Sequence, residues 1–300
     1  MSKPRRVVLI VVVVALVGAG IYLVGGRFSW WPQAARCAIP ETVAGEQGTS
    51  STAPNGGGIR VVEQGFSPMA ADGSVSLGAI VENTSASAAY RTRVTFTFFD
   101  AMRRPLAESA PGGGLVIEIP IILPGGRIGV GDSAYPGKAD DGTTATVVSF
   151  EVELGATTWV PGDALGADFT PVTATHLRTD RPISTVPSTV DVQYRETSTN
   201  CRSLESRSAA VVYRDARGSI VGGALGVPGG LIVFRDDRGV TVGGHQQLPP
   251  SPSCHQGERE TWVDPPRPAP SAVDDSRTEV YPYCDLTLSP RTGLPGEPKN

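Results

Sequence analysis

Groups that do chemistry are scarce in this sequence. Its 300 residues include three histidines, four cysteines and three methionines, and charged residues make up 19%, under the usual quarter. The formal net charge is −4, and the charges are scattered, with none of the basic stripe that nucleic acid requires. No Gly-x-Ser-x-Gly elbow places a serine nucleophile on a strand-to-helix turn. Phosphate loops need a Lys-Ser/Thr pair followed by a helix. The glycine runs at 112–114, 222–223 and 229–230 have neither and are expected to be turns. No C-x-x-C or H-x(3–5)-H spacing marks a metal site. After residue 30 no amphipathic stretch is long enough for a helix. The expectation is a non-catalytic chain with no cofactor and no nucleic-acid partner.

What is plentiful is glycine and proline: 36 and 26 residues, about a fifth of the chain. That stays below the low-complexity range and suits β-structure with long loops. One long apolar run exists, from Val7 to Gly26, uncharged and preceded by Lys3, Arg5 and Arg6. Twenty helical residues span about 30 Å, the thickness of a bilayer's hydrocarbon core. The cations place residues 1–6 in the cytoplasm, and Trp30 and Trp31 follow at interfacial depth. A cleaved signal peptide would have a shorter apolar region and an A-x-A-like site, and no clean site follows the run. The expectation is a single-pass signal-anchor helix over 7–26 with everything after it outside the cell. Residues 27–57 are small, polar and rich in Gly and Pro, the composition of a flexible stalk.

The stretch 74–100 organises the rest. Val75, Leu77, Ala79 and Val81 alternate with Ser74, Ser76, Gly78 and Ile80. After a polar loop, Tyr90, Val94, Phe96 and Phe98 alternate with Arg91, Arg93, Thr95 and Thr97. A period of two with β-branched and aromatic residues predicts strands with one buried and one wet face, hence an antiparallel sheet. Residues 58–62 predict an earlier strand and 144–154 a closing one. The apolar run 115–123 is expected to split at Pro120, which lacks a ladder donor.

The pattern recurs. Val190, Val192 and Tyr194 alternate with polar residues before Glu196-Thr197-Ser198, which is expected to open a polar loop. Residues 209–215 then match 94–100, 228–233 lie beside 111–117, and 239–243 beside 127–131. Offsets of about 112 to 117 residues indicate a tandem duplication.

The motif Phe96-Thr97-Phe98-Phe99-Asp100 resembles the one that names the FxLYD domains, and Gly78-Ala79-Ile80-Val81-Glu82-Asn83 resembles the strand end before it. The proline-glycine turn at Pro124-Gly125 is also similar. In the second copy the motif is eroded to Val211-Val212-Tyr213-Arg214-Asp215. The resemblance implies small immunoglobulin-like β-sandwiches on bacterial surface proteins, with Phe96, Phe98, Phe99 and Asp100 structural, and no chemistry. The expected fold is all-β: two tandem immunoglobulin-like β-sandwich domains, 58–160 and 168–288, after the transmembrane helix, with a disordered tail over 289–300.

Cys201, Cys254 and Cys284 have no counterparts in the first copy. Outside the cell disulfides are permitted, and Cys254–Cys284 is the favoured pair. It would pin a long Pro-rich loop to the closing strand. Cys201–Cys254 is the runner-up, and Cys37 is either free or paired with Cys201 or another chain. The expected role is binding or scaffolding of an envelope protein or surface ligand. The alternative is an envelope ligand- or metal-binding protein using His245, Cys254, His255 and Cys284. Blue-copper chemistry usually wants an axial methionine, and the second copy has none.

Overall fold

A strand buried on both faces needs apolar or very small side chains on each, and residues 75–83 supply this. Val75, Leu77, Ala79 and Val81 line one face and Ser76, Gly78 and Ile80 the other, and all of them are buried. The structure, a computed structural model, describes residues 37–287 apart from 42, 44, 49–50, 69, 71–72, 107–114, 136–145, 181–190, 227–232, 236–240, 244–253, 264–269 and 271. The expected anchor at 7–26 and tail at 289–300 lie outside the described residues. The chain divides into residues 1–37 and a unit of residues 38–300.

The protein is all-β; among the described residues there is no α-helix, only two 3-10 turns. The first half holds β1 (Glu46–Gly48), β2 (Ile59–Phe66), β3 (Val75–Asn83), β4 (Ser87–Phe99), β5 (Pro105–Leu106), β6 (Leu115–Ile122), β7 (Arg127–Ala134), β8 (Ser149–Leu154) and β9 (Thr157–Pro161). The second holds β10 (Thr173–Asp180), β11 (Asp191–Ser198), β12 (Glu205–Arg214), β13 (Ile220–Leu225), β14 (Val233–Arg235), β15 (Thr241–Gly243), β16 (Gly257–Val263) and β17 (Glu279–Asp285).

These form four antiparallel sheets and a small hairpin, β14-β15. An outer sheet is built on β4, which pairs with β5, β6, β8 and β9, and β9 pairs with β1. Its Val94, Phe96 and Phe98 pack on Val75, Leu77, Ala79 and Val81 of the inner sheet β2-β3-β7. In the second half, Val192 and Tyr194 of the outer sheet β10-β11-β16 pack on Ala209, Val211 and Tyr213 of the inner sheet β13-β12-β17.

The two inner sheets meet each other. Ile80 packs with Val212 and Ile220, and glycines fill most of the remaining contact. A Cβ on Gly78 would stand 2.6 Å from the Gly222 carbonyl oxygen, one on Gly131 2.6 Å from that of Val211, and one on Gly223 2.5 Å from that of Leu77. Backbone lies on backbone here. Ser76 stitches the contact: its hydroxyl donates to the Gly223 carbonyl at 2.6 Å and accepts from the Gly223 N–H at 2.9 Å. The small-residue face of β3, expected to be wet, is therefore packed. Alternation reports which residues share a face, and small residues suit close approach of another backbone as well as they suit water.

Other expectations are corrected by pairing. β6 runs unbroken through Pro120, because it pairs on one side only, with β4, and an edge tolerates a missing donor. Within the expected stalk, Glu46–Gly48 pairs with β9, and Ile39 and Ala53 are buried. A polar stretch still has backbone groups to offer a sheet edge and a few apolar side chains to bury. The expected long loop between Cys254 and Cys284 contains β16, which pairs with β11 over its full length. β16 thus takes beside β11 the place that β7 takes beside β3, which the alignment of 239–243 with 127–131 had missed. Glu196 lies inside β11, in ladder with Arg259.

The turn after β4 and the turn after β12 are the same structure. Asp100 Oδ1 accepts from the N–H groups of Met102 and Arg104, and Asp215 Oδ1 from those of Arg217 and Ser219. Arg103 (φ 57°) and Gly218 (φ 86°) occupy the same left-handed position. Glycine meets that requirement without steric cost.

Candidate functional site

A buried cluster of charged and polar side chains lies where β17 passes the edge of the first half. Asp285, fully buried, accepts from Arg207 Nε at 2.8 Å, from Arg91 at 3.0 Å and from the Tyr90 hydroxyl at 2.8 Å. Arg207 also pairs with Glu118 at 2.8 Å, and Arg91 donates to the Thr287 carbonyl at 2.8 Å. Local irregularities aim these side chains. Arg207 is the extra residue of a bulge in β12, between the Ser206–Cys284 and Ser208–Tyr283 pairs. A bulge re-aims a side chain that would otherwise alternate. Arg91 sits at φ 53°, opposite the donorless Pro120, where β4 stops pairing with β8 and starts pairing with β9.

Two carboxylates and two guanidiniums make the cluster neutral. Burial pushes the Tyr90 phenol up to about 12, helped by Asp285 beside it. Burial also raises Glu118, with Arg207 and Arg91 pulling the other way. For Arg91 burial opposes the charge, but Asp285, Tyr90 and Glu118 outweigh it and the net shift is upward. The paired charges and hydrogen bonds make this a latch between the halves. Tyr90, Arg91 and Glu118 come from one half and Arg207 and Asp285 from the other.

Beside the latch a cleft of about 110 Å³ opens on the seam. Its walls are the β6–β7 hairpin from Pro120 to Leu123, the segment holding Phe169 and Pro171, and Leu204, Pro282 and Cys284. Its lining is mostly apolar and includes Arg127. Cys284 is bonded to Cys254, so the disulfide forms part of the wall. Cys37 and Cys201 are also disulfide-bonded, and no described cysteine is a free thiol.

Cys254 is held from below by Glu196. This side chain points inward with Val192 and Tyr194 and is 1% exposed. Its Oε1 accepts the Cys254 N–H at 2.5 Å, while Oε2 has no hydrogen-bond partner. Burial raises the Glu196 carboxyl to about 7; the backbone N–H groups of Cys254 and His255, and Arg259, only partly offset it. An acid raised from 4.5 binds its proton more tightly in the folded state. Stability is therefore greatest below the unfolded value and is lost as pH rises towards about 7. At about 1.4 kcal/mol per unit the loss approaches 3 kcal/mol. Glu196→Gln keeps an acceptor for Cys254 and cannot ionise. Thermal unfolding between pH 5 and 8 is expected to show the wild type losing stability relative to this variant as pH rises. Parallel curves would overturn the assignment.

The expected site residues fall in two places. Phe96 and Phe98 are buried in the first core, Phe99 lies half-buried beneath the Arg103 guanidinium, 5.3 Å from its ring centroid, and Asp100 is the turn residue. The cysteines Cys254 and Cys284 lie at the seam. Two sulfurs bonded to each other are not thiolate ligands. His255 Nδ1 lies 3.3 Å from the Ser203 hydroxyl and His176 Nε2 2.9 Å from that of Thr179. Burial lowers the pKa of His176, and His245 lies outside the described residues. Among the described residues no group of three or more His, Cys, Asp or Glu side chains is arranged to hold a metal. Sequence reasoning missed Glu196, Arg207 and Asp285. Only the place of Glu196 in the Val192, Tyr194 alternation carried a signal.

The architecture defines a layered all-β protein. No protein-family model, curated protein or solved structure matches the chain. Among the described residues no helix is long and apolar enough to cross a membrane.

Proposed function

We propose that this is a non-catalytic binding or scaffolding protein of the bacterial envelope. Its N-terminal helix over 7–26 anchors it in the cytoplasmic membrane, and its two halves are immunoglobulin-like sandwiches of the FxLYD kind facing outward. The observation that supports this most is the glycine seam. Backbone-to-backbone contact between the inner sheets, together with the Asp285 latch, fixes residues of both halves in one body. A fixed body is suited to presenting a surface to a partner, since a preorganised surface spends little of its binding energy on ordering itself. The apolar run at 7–26 with its cations on one side supports the anchor, and the disulfides fit an oxidising compartment.

Fractionation of cells making the full chain with an N-terminal tag is the test. Full-length protein is expected in the membrane fraction. Protease added to spheroplasts should remove the β-sheet region and leave a short tagged fragment. Full-length protein found only in the medium, or a β-sheet region shielded from added protease, would sink the proposal.

A further inference from the structure

The solvent face of β10-β11-β16 carries an arrangement that the seam does not explain. Residues directly paired across a ladder share a face. Trp262 of β16 is paired with Gln193 of β11, and Gln193 with Arg178 of β10. The register shift between His176 and Arg178 makes Leu177 a bulge residue, and it emerges beside Arg178. One row thus runs Trp262, Gln193, Arg178 and Leu177. The next row runs Glu260, Arg195 and Thr175. Trp262 is 51% and Leu177 38% exposed, two of the four large hydrophobic side chains exposed among the described residues. A single exposed apolar residue needs no explanation. Two in one row, one of them delivered by a bulge, form a platform, and bulges are a common means of re-aiming side chains towards a site.

Polar groups surround the indole, and some of them are ion-paired. Arg195 pairs with Glu260 at 2.7 Å and with Glu258 at 3.4 Å. Two guanidiniums, Arg178 and Arg195, share the face with Glu258 and Glu260, and the Asp180–Asp191 pair follows next along the ladder, so the face carries no excess of cations. Strands lie about 4.8 Å apart and same-face neighbours about 7 Å apart along a strand. The platform is therefore a shallow strip a few side chains wide.

We propose that this face binds a neutral glycan strand. A pyranose ring has an apolar face of C–H groups, which stacks on a flat indole, and a rim of hydroxyls. Those hydroxyls are met by the amide of Gln193 and by guanidinium and carboxylate groups that are planar and offer paired donors or acceptors. A polyanion would need uncompensated cations. A protein partner would need roughly 800 Å² with a desolvated, aromatic-rich centre, more apolar surface than two side chains give. The proposal rests on the binding role proposed above and names the ligand class.

The test uses the full chain in detergent, titrated with neutral linear tetrasaccharides of β-1,4-linked glucose, β-1,4-linked N-acetylglucosamine and α-linked mannose. Binding is read by calorimetry and by intrinsic fluorescence. At least one is expected to bind with micromolar to millimolar affinity. Trp262→Ala should weaken it by about tenfold or more, Trp262→Phe should weaken it less, and Met102→Ala, exposed elsewhere, should not change it. Circular dichroism of each variant separates loss of binding from loss of fold. No binding by any of the three at millimolar concentration, or binding unchanged in folded Trp262→Ala, overturns the proposal. Neither result bears on membrane fractionation or protease accessibility, so failure of the glycan site and failure of the envelope role are distinguishable.

Discussion

Gly131→Val is expected to cost about 4 kcal/mol or to prevent folding, at the upper end of overpacking penalties. The reason lies in what the new side chain would meet. A Cβ at Gly131 would be 2.6 Å from the Val211 carbonyl oxygen, 2.8 Å from the Ala224 nitrogen and 2.8 Å from the Gly223 Cα. All three are backbone atoms of the facing sheet, so no rotamer change can relieve the clash. Gly131 also lies in ladder with Gly78 of the central strand β3, so β7 cannot shift alone. Gly56→Ala is the control. Gly56 sits at φ 87° with open space around it, and replacing it should cost about 1 kcal/mol through backbone strain alone. Urea unfolding of both variants checks the pair. Similar small losses would mean that the inner sheets are not in backbone contact.

Arg207→Leu is expected to destabilise by about 3–5 kcal/mol, the range for removing one partner of a buried ion pair. Arg207 is 5% exposed and sits between Asp285 at 0% and Glu118 at 18% side-chain exposure. Its loss leaves two carboxylates facing the single guanidinium of Arg91. The companion Glu118→Leu removes the surplus charge, and the double variant leaves Asp285 with Arg91 and the Tyr90 hydroxyl. The double variant should therefore recover part of what the single loses, because a buried pair replaced by apolar groups is often near neutral. A double-mutant cycle by urea unfolding measures this coupling. Strictly additive losses would show that Arg207 and Glu118 do not act as a pair. Both substitutions act on contacts between the halves, so a drop in the cooperativity of unfolding is a further expected sign.

The strands of the first half were legible because their side chains alternate without interruption. Val94, Phe96 and Phe98 against Arg93, Thr95 and Thr97 have the pattern of a half-buried strand, and β4 is one. The repeat was legible at the Asp100 and Asp215 turns, where the same local hydrogen bonds recur. It was lost after Asp215, because β14 and β15 look locally like β6 and β7 while β16 takes the place beside β11. Which strand pairs with which is a non-local matter, and the run from Gly257 to Val263, with four charged or polar residues in its first four after glycine, carries little alternation to announce itself. The cleft and the latch were not legible at all. The cleft gathers residues from Pro120 to Cys284 and the latch from Tyr90 to Asp285, and a charged residue that will be buried looks in sequence like any solvated one.

By itself the sequence determined the class of structure, the strand faces of the first half and the turn chemistry at Asp100 and Asp215. These depend on local alternation and on side chains bonding to their own backbone, so neighbours in sequence suffice. Tertiary structure alone decided that the small face of β3 is a contact and not a wet surface. It alone made Glu196 a core residue beneath Cys254, gathered Arg91, Glu118, Arg207 and Asp285 into a latch, and set Trp262 and Leu177 in one row. A glycine, a glutamate or a tryptophan has no fixed fate in a strand. What stands opposite decides it, and in this protein the opposite residue lies in another sheet or on another strand far along the chain.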